Sequence, residues 1–474
     1  MRAIEIQKTK SIYSPFQQQG IPFRENNLLG NRVILREYDF IVIGAGTGGC
    51  VVANRLSENP NWLVLVLEAG KDETLYTDIP AVASFLESSE YKREKGDYDI
   101  IEKFGNDGWA YNDALPYFLK SENNSIPEYQ NSPFHSQKEN LHVERVRYHS
   151  PLVDKFIEAG GELGLKRNID YTIDPEYGSS RLQATTINGR RVSASKAFIR
   201  PVKDRQNLHV AIFSQVTKML IDPKTKLAFG VEFIKKEKNR TVYAKKEIIL
   251  SAGPINSPQL LMLSGIGPKD HLKNHKIPVI QDLQVGQHLQ DHFGTVALEF
   301  IINQTSPVIN QQTTSDPHLF EEWFKYGQGP LTVPRGVDGL AYIRAPSGRG
   351  LELIFGPLSD KPNVFIMATV LLQPDARGNV TLKNNNPLDP PIMSYGYYDS
   401  NTDLEDNIYA LKYLVKMVEE TQAFKDVAAK LNPVPYPKCN SSPFRSDDYW
   451  ACLSNHLTHL SSPMWYMPYG RSCQ

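Results

Sequence analysis

Residues 44 to 49 read Gly-Ala-Gly-Thr-Gly-Gly, and a carboxylate, Glu68, follows roughly twenty residues beyond the glycines. Glycine at this density offers no side-chain chemistry; it offers bare backbone. Gly44 lets the chain turn sharply, Gly46 lets the main chain come close to a pyrophosphate, and Gly49 lets a helix pack tightly on a strand. Phosphate oxygens then meet free N–H groups at a helix N-terminus. Glu68 stands where a carboxylate accepts hydrogen bonds from ribose hydroxyls. The chemistry predicted is dinucleotide binding, against the plainer reading of a glycine-rich turn that only packs. The stretch leaves NAD and FAD equally open, since both use this turn.

For such a turn to work, a strand must enter it and a helix must leave it. Residues 38–43 are an apolar run of the kind that makes a buried parallel strand. Residues 50–56 have helical spacing, and 63–67 are a second buried strand ending at Glu68. Residues 37–70 are therefore a complete βαβ opening. Downstream, strands are predicted over 208–213, 215–222, 230–234, 241–244 and 247–253, with Lys235-Lys236-Glu237-Lys238 as a solvated turn. The small residues Ser251-Ala252-Gly253 leave room for a flat ligand. A helix follows, with Pro258 suited to its first turn and Gly265 to its end. Further helices are expected over 81–86, 98–121, 151–163, 193–199 and 404–421, and an exposed loop over 87–97. From Thr295 the strands 296–300, 351–355, 363–372 and 378–382, separated by Pro-rich turns, suit an antiparallel sheet.

A chain of 474 residues can bury a large core and forms two domains by length. Lys+Arg 52 against Asp+Glu 53 leaves no basic field to attract nucleic acid or anionic lipid. The cysteines Cys50, Cys439, Cys452 and Cys473 show neither metal spacing nor a dense disulfide framework. Cys50 reads as a small packed residue of the nucleotide helix; Cys439 and Cys452 can pair if the protein is secreted. Residues 1–36 are a polar lead-in without an apolar core, so no signal peptide is present as written, which makes the cytoplasm the default location. The sequons at Asn123, Asn239 and Asn379 point weakly the other way, to secretion. No apolar run has the length of a transmembrane segment. His149 and its neighbours read as surface or packed residues.

Three stretches together resemble the glucose–methanol–choline (GMC) oxidoreductases, in particular their glucose-dehydrogenase-like branch. They are GAGTGG with LEAG, GPINSPQLLMLSGIG at 253–267, and VGQHLQDH at 285–292. The second is similar to the family's long second signature at every constrained position; the third is close to VGxNLxDH. Likeness extends through Arg191-Val192-Ser193, Lys196-Ala197-Phe198, Gly329-Pro330-Leu331-Thr332 and Asp389-Pro390-Pro391, and so covers most of 38–460. The resemblance implies an α/β fold: an FAD/NAD(P)-binding Rossmann-like domain over 37–294, with 98–207 partly in the other domain. A substrate-binding domain with an antiparallel β-sheet would occupy 295–474. It implies FAD as cofactor and a small-molecule alcohol or sugar as substrate, with a hydride passing to the flavin and a histidine taking the hydroxyl proton. Carried over by position, Gly44, Gly46, Thr47 and Gly49 hold the pyrophosphate, Glu68 holds the adenosine ribose, and Val216 meets the adenine through its backbone.

Two departures set this chain apart. The family's first signature, a GGSSxxN-type loop beside the flavin, is absent: Phe85 to Tyr91 run almost directly into Lys95-Gly96-Asp97-Tyr98-Asp99. Where the family reads close to YHPVGTCxMG with its catalytic histidine, this chain has Trp465-Tyr466-Met467-Pro468-Tyr469-Gly470, so Met467 stands in the histidine's place. The sequence as written ends at Gln474, before the family's C-terminal continuation. His456 and His459 read as packed residues of the preceding helix, and the catalytic residue is unassigned. The expectation is a flavoprotein by descent with impaired alcohol oxidation. Its rivals are a pseudoenzyme or incomplete gene product that binds or scaffolds, and an NAD-dependent dehydrogenase, in which the second signature would have no role.

Overall fold

The apolar runs around the glycine turn pair with one another in the computed structural model, which describes residues 33–81, 95–171, 177–296, 298–307 and 309–457. Residues 82–86 of the helix expected over 81–86, residues 87–94 of the loop expected over 87–97, His459 and Met467 lie outside the described residues. β1 (Glu37–Ile43), β2 (Val64–Leu67), β3 (Leu208–Ala211), β4 (Ser214–Ile221), β5 (Ala228–Lys235) and β6 (Lys238–Leu250) form one sheet in the order β3-β2-β1-β6-β5-β4. The first four of that order are parallel, and their ends Ala211, Leu67, Ile43 and Leu250 stand in register along one edge. Both faces are covered. Val64 and Val66 pack with Phe40, Val42, Cys50 and Ala53 under α1 (Thr47–Leu56), while Leu65 and Leu67 pack with Ile41, Ile43, Val216 and Phe233. Burial on both sides is why these strands read as continuous apolar runs.

β6 departs from the expected two strands: it is one strand of 13 residues. Its first half pairs antiparallel with β5 and its second half parallel with β1, with Tyr243 at the changeover. Exposed Lys245, Lys246 and Glu247 interrupt the hydropathy pattern, but the backbone pairing runs on. Lys236 and Glu237, with φ of 52 and 60, form the tip, the two-residue geometry that matches strand twist.

Four other expectations are corrected. The predicted helix 98–121 is two helices, Lys95–Lys103 and Tyr111–Leu119, parted where Gly105 and Gly108 take positive φ; Lys95 to Asp97 thus leave the loop. α2 (Gly253–Leu263) starts at the top of the signature with Pro254 in its first turn. Pro258 is interior, where it has no N–H to give four residues back. Residues Ser195–Ile199 form a wide π-type turn instead of an α-helix. The strand expected to reach 213 stops at Ala211, because Phe213 turns into the left-handed region.

The second sheet is built from β7 (Leu298–Ile301), β8 (Gly339–Arg344), β9 (Gly350–Gly356) and β10 (Val364–Leu371), antiparallel in the order β7-β10-β9-β8. Lys430–Leu431 extends it on one side, Gly178–Arg181 and Lys166–Arg167 on the other. The helix Pro151–Glu162, α3 (Asn401–Glu420) and α4 (Asp447–His456) cover it over a core that includes Phe156, Phe300, Phe365 and Trp450. One buried polar knot fixes this layer. Asn407 Nδ2 donates to Thr295 Oγ1 (2.7 Å) and Ser454 Oγ (2.8 Å), and Thr369 Oγ1 donates to Asn407 Oδ1 (2.5 Å). A disulfide ties Cys439 to Cys452 in the middle of α4. No helix of the described residues is long and apolar enough to cross a membrane.

His135 joins the connecting segment. Its side chain is 4% exposed, stacked on Tyr129, with Nδ1 2.9 Å from Glu122 and Nε2 2.6 Å from Asp170. Burial pulls its pKa down, but the hydrogen bonds and charges of Asp170 and Glu122 outweigh that and push it up to about 9. A pKa raised on folding stabilises fully below the ordinary value of 6.5 and is lost as pH rises through about 9. The expected result is that the stability difference between the parent and His135→Gln, read by urea titration, is largest below about pH 6.5 and shrinks through about pH 9. A difference that stays constant across that range would show that the imidazolium does not carry it.

Candidate nucleotide site

The glycine turn sits at the carboxyl edge of the parallel strands, where ligands of open α/β sheets bind. Gly44 follows β1 with φ +96, and its N–H donates to Leu67 O at 2.9 Å. A methyl group on it would lie 2.5 Å from Ser251 O. Gly49 is tighter still: a methyl there would lie 1.9 Å from Gly44 O. Ser251, at the end of β6, braces the same turn; its N–H bonds Ile43 O (2.9 Å) and its Oγ lies within reach of Ile43 O (3.0 Å) and Gly44 O (3.3 Å). Gly46 behaves differently. It is the N-cap of α1, and a methyl added to it would meet no atom within 4 Å. No side chain caps this helix and no acidic residue lies in its first turn. Thr47 and Gly48 are exposed. The result is an open, backbone-lined space at a helix end that carries about half a positive charge, which fits a pyrophosphate.

Glu68 stands beside that space, half-buried at the end of β2. Its Oε2 accepts from Ala45 N–H (2.7 Å) and its Oε1 from Gly70 N–H (2.7 Å). A carboxylate has about four acceptor positions, so this bracing is compatible with hydroxyl donors as well. The Glu68 carbonyl accepts from Ser214 N–H (2.7 Å), and Val216 follows two residues later. The Val216 side chain is buried in the sheet core, which leaves only its main chain for a ligand. The structure thus gathers Gly44, Gly46, Thr47, Gly49 and Glu68 directly and ties Val216 to them through Ser214. Ala45, Gly70, Ser214 and Ser251 escaped the sequence reading as site residues; the run of small residues at 251–253 was the one signal. Cys50, in the first turns of α1, donates its thiol to Ala45 O (3.0 Å). Burial first, then the charges of Glu68 and Glu73, push its pKa up to about 12, so it is an unreactive packed thiol.

The other motifs tie the first sheet to residues 378–397. Gln259 of α2 donates to Asp389 O (2.8 Å), joining the long signature to Asp389-Pro390-Pro391. Ser264 Oγ accepts from Met219 N–H of β4 (2.9 Å). In 285–292, Leu289 and Gly378 exchange backbone hydrogen bonds (2.9 and 2.6 Å), a methyl on Gly286 would lie 2.2 Å from Val380 O, and Asp291 accepts from Tyr397 OH (2.6 Å). His456, expected to be packed, is exposed in the last turn of α4, with Nδ1 3.0 Å from Cys452 O. That turn has its polar face outward. Both ring nitrogens of His135 face carboxylates, which leaves neither open to a substrate hydroxyl.

Residues 95–294 and 374–464 match the family model described as GMC oxidoreductase. The chain is 32% identical to the glucose dehydrogenase [FAD, quinone] of Drosophila melanogaster over 479 aligned positions, covering 89% of this chain and 76% of that protein. It is 30% identical to the oxygen-dependent choline dehydrogenase of Brucella anthropi, covering 81% and 77%. Among solved structures, formate oxidase of Aspergillus oryzae RIB40 superposes with a TM-score of 0.75 at 21% identity, over 89% of this chain and 87% of that one. An FAD-dependent oxidoreductase from Chaetomium thermophilum gives 0.76 at 22%, over 90% and 88%. The glycine turn and Glu68 precede the first of the two matched segments.

The two glycines separate binding from folding. Gly46→Val places its side chain in open space, so it is expected to cost no more than about 1 kcal/mol, the scale of a poor N-cap, while abolishing ADP binding measured by calorimetry. Gly49→Ala drives a methyl onto Gly44 O and is expected to lower the melting temperature as well as binding. Unchanged ADP affinity in Gly46→Val would remove the phosphates from this turn.

Proposed function

This chain belongs to the GMC oxidoreductase family, whose members are FAD-dependent enzymes acting on CH–OH donors, and from that premise we propose which of its residues take part. The uncapped first turn of α1, entered through Gly44 and Gly46 and starting at Thr47, binds the pyrophosphate of FAD. Gly49 keeps the helix against β1. Glu68 accepts hydrogen bonds from the adenosine ribose, and the Val216 main chain meets the adenine. Bound FAD supplies the acceptor for a hydride leaving a CH–OH carbon. The observation that carries this reading is the open, side-chain-free space at Gly46 with the Glu68 carboxylate anchored one residue away, on Ala45. The substrate is a small alcohol or sugar, a class supported by the glucose and choline dehydrogenases similar to this chain.

A second reading, flavin binding with little alcohol oxidation, is favoured by Met467 in the place where the family pattern has histidine. A thioether takes no proton near neutral pH, and general-base help typically contributes about 10²–10⁴-fold. The disulfide Cys439–Cys452 supports an oxidising location, outside the cytosol. Alkylation of the native protein that labels both cysteines would remove that support.

The expected outcome for the purified protein is uptake of FAD near one per chain, with flavin bands that dithionite bleaches. Anaerobic mixing with a panel of sugars and small alcohols then decides between the readings. Bleaching on the seconds scale sinks the second reading; bleaching only over hours sinks efficient turnover. Failure to take up FAD at all sinks both.

A further inference from the structure

Phe213 lies beside the groups assigned above, yet none of them gives it a role. It follows β3 at the carboxyl edge of the sheet, and it is 55% exposed. It joins none of the hydrophobic clusters of the described residues. Its φ is +51, in the left-handed region that glycine and asparagine tolerate and that a bulky side chain occupies only when its surroundings force it there. An exposed aromatic ring on a strained backbone has no packing reason to exist, and such outliers gather at ligand sites.

The surroundings do force it. Phe213 N–H donates to Gly70 O (2.9 Å) and Ser214 N–H to Glu68 O (2.7 Å). Ser214 is fully buried, and its Oγ donates to Ile212 O (3.1 Å). The Lys235 ammonium, reaching from β5, bonds both Ile212 O and Ser214 Oγ (3.2 Å). Both neighbours of Phe213 are therefore clamped: its main chain is bonded to Gly70, two residues after Glu68, its ring is left exposed, and Val216 follows three residues later. A purine attached to the ribose assigned to Glu68 offers a flat face of the kind on which phenylalanine stacks.

We propose that Phe213 is held in this conformation to stack on the adenine of the bound dinucleotide, so that the base is gripped by an aromatic face as well as by main chain. This rests on the dinucleotide reading above. The probe is ADP, which carries the adenine, ribose and pyrophosphate and needs nothing from the flavin side; inorganic pyrophosphate is the control without a base.

Phe213→Asn keeps a residue that tolerates positive φ and removes the ring. The expected result by calorimetry is ADP binding weaker by roughly five- to a hundred-fold, unchanged pyrophosphate binding, and a melting temperature no lower than the parent's. Phe213→Trp is expected to restore ADP affinity. Equal ADP affinity in the parent and Phe213→Asn, with binding lost in Gly46→Val, overturns the Phe213 assignment and leaves the nucleotide site standing. Equal loss for ADP and pyrophosphate, or a lowered melting temperature, makes the ring a structural brace and overturns the assignment too. A parent that binds neither ADP nor FAD overturns both the site and this inference.

Discussion

The Glu68 carboxylate holds two backbone N–H groups from different crossings of the sheet edge, Ala45 after β1 and Gly70 after β2. Both bonds are short and charge-assisted, which makes them stronger than neutral ones. Without the carboxylate, two partly buried donors would lose their acceptor, at about 1–3 kcal/mol each. The glycine turn has no side chains with which to hold itself in place, so its geometry is borrowed: from Glu68 on one side and from Ser251 on the other. The same segment then exports order, since the carbonyls of Glu68 and Gly70 receive Ser214 and Phe213. A ligand cradle made of backbone depends on the few side chains that pin it.

The second constraint is the joint between the first sheet and residues 378–397. The long signature helix α2 spends its polar contacts on β4 and on the Asp389 loop, and the 285–292 stretch lies against 378–380 with glycine at the closest approach. The family's signature motifs thus serve partly as joints between the first sheet and residues 378–397. The buried Asn407 knot carries the linkage onward to α3, α4 and β10.

How much of this was legible depends on the range of the interactions. The βαβ unit was readable because its strands are buried on both faces and its glycines sit at fixed offsets, all within 37–70. The antiparallel second sheet is legible from short strands and proline turns only in part: Asn379–Thr381, expected in it, pairs with Ile392–Ser394 in a separate two-stranded sheet, while Gly339–Arg344, Gly178–Arg181 and Lys166–Arg167 join it without a sequence signal. β6 reads as two strands because the exposed Lys245 and Lys246 break the apolar pattern, while the pairing that runs past them is made by backbone. Pro258 suits a first helical turn by residue type, but the helix already starts at Gly253, where Pro254 takes that place. His135 is packed, as expected of the histidines in this segment, but its two carboxylate partners are invisible in the sequence because they lie 13 and 35 residues away in the chain. Phe213 looked like the last residue of a strand; only its φ reveals otherwise.

β6 also sets an order of events. Its antiparallel half closes on β5 through a two-residue tip, a contact between chain neighbours, and hairpins of that kind form in about 1–10 μs. Its parallel half must find β1 some 200 residues earlier, as the 208-residue separation of Ser251 and Ile43 shows. Loop closure on that scale is slow and becomes rewarding only once many contacts form together. Because one continuous strand serves both partners, the quick local pairing straightens and orients the edge onto which the distant strand must dock. The glycine turn, which needs β1, β2 and β6 in register, thus depends on closing a chain loop of about 200 residues, a cost that the hairpin half of β6 does not carry.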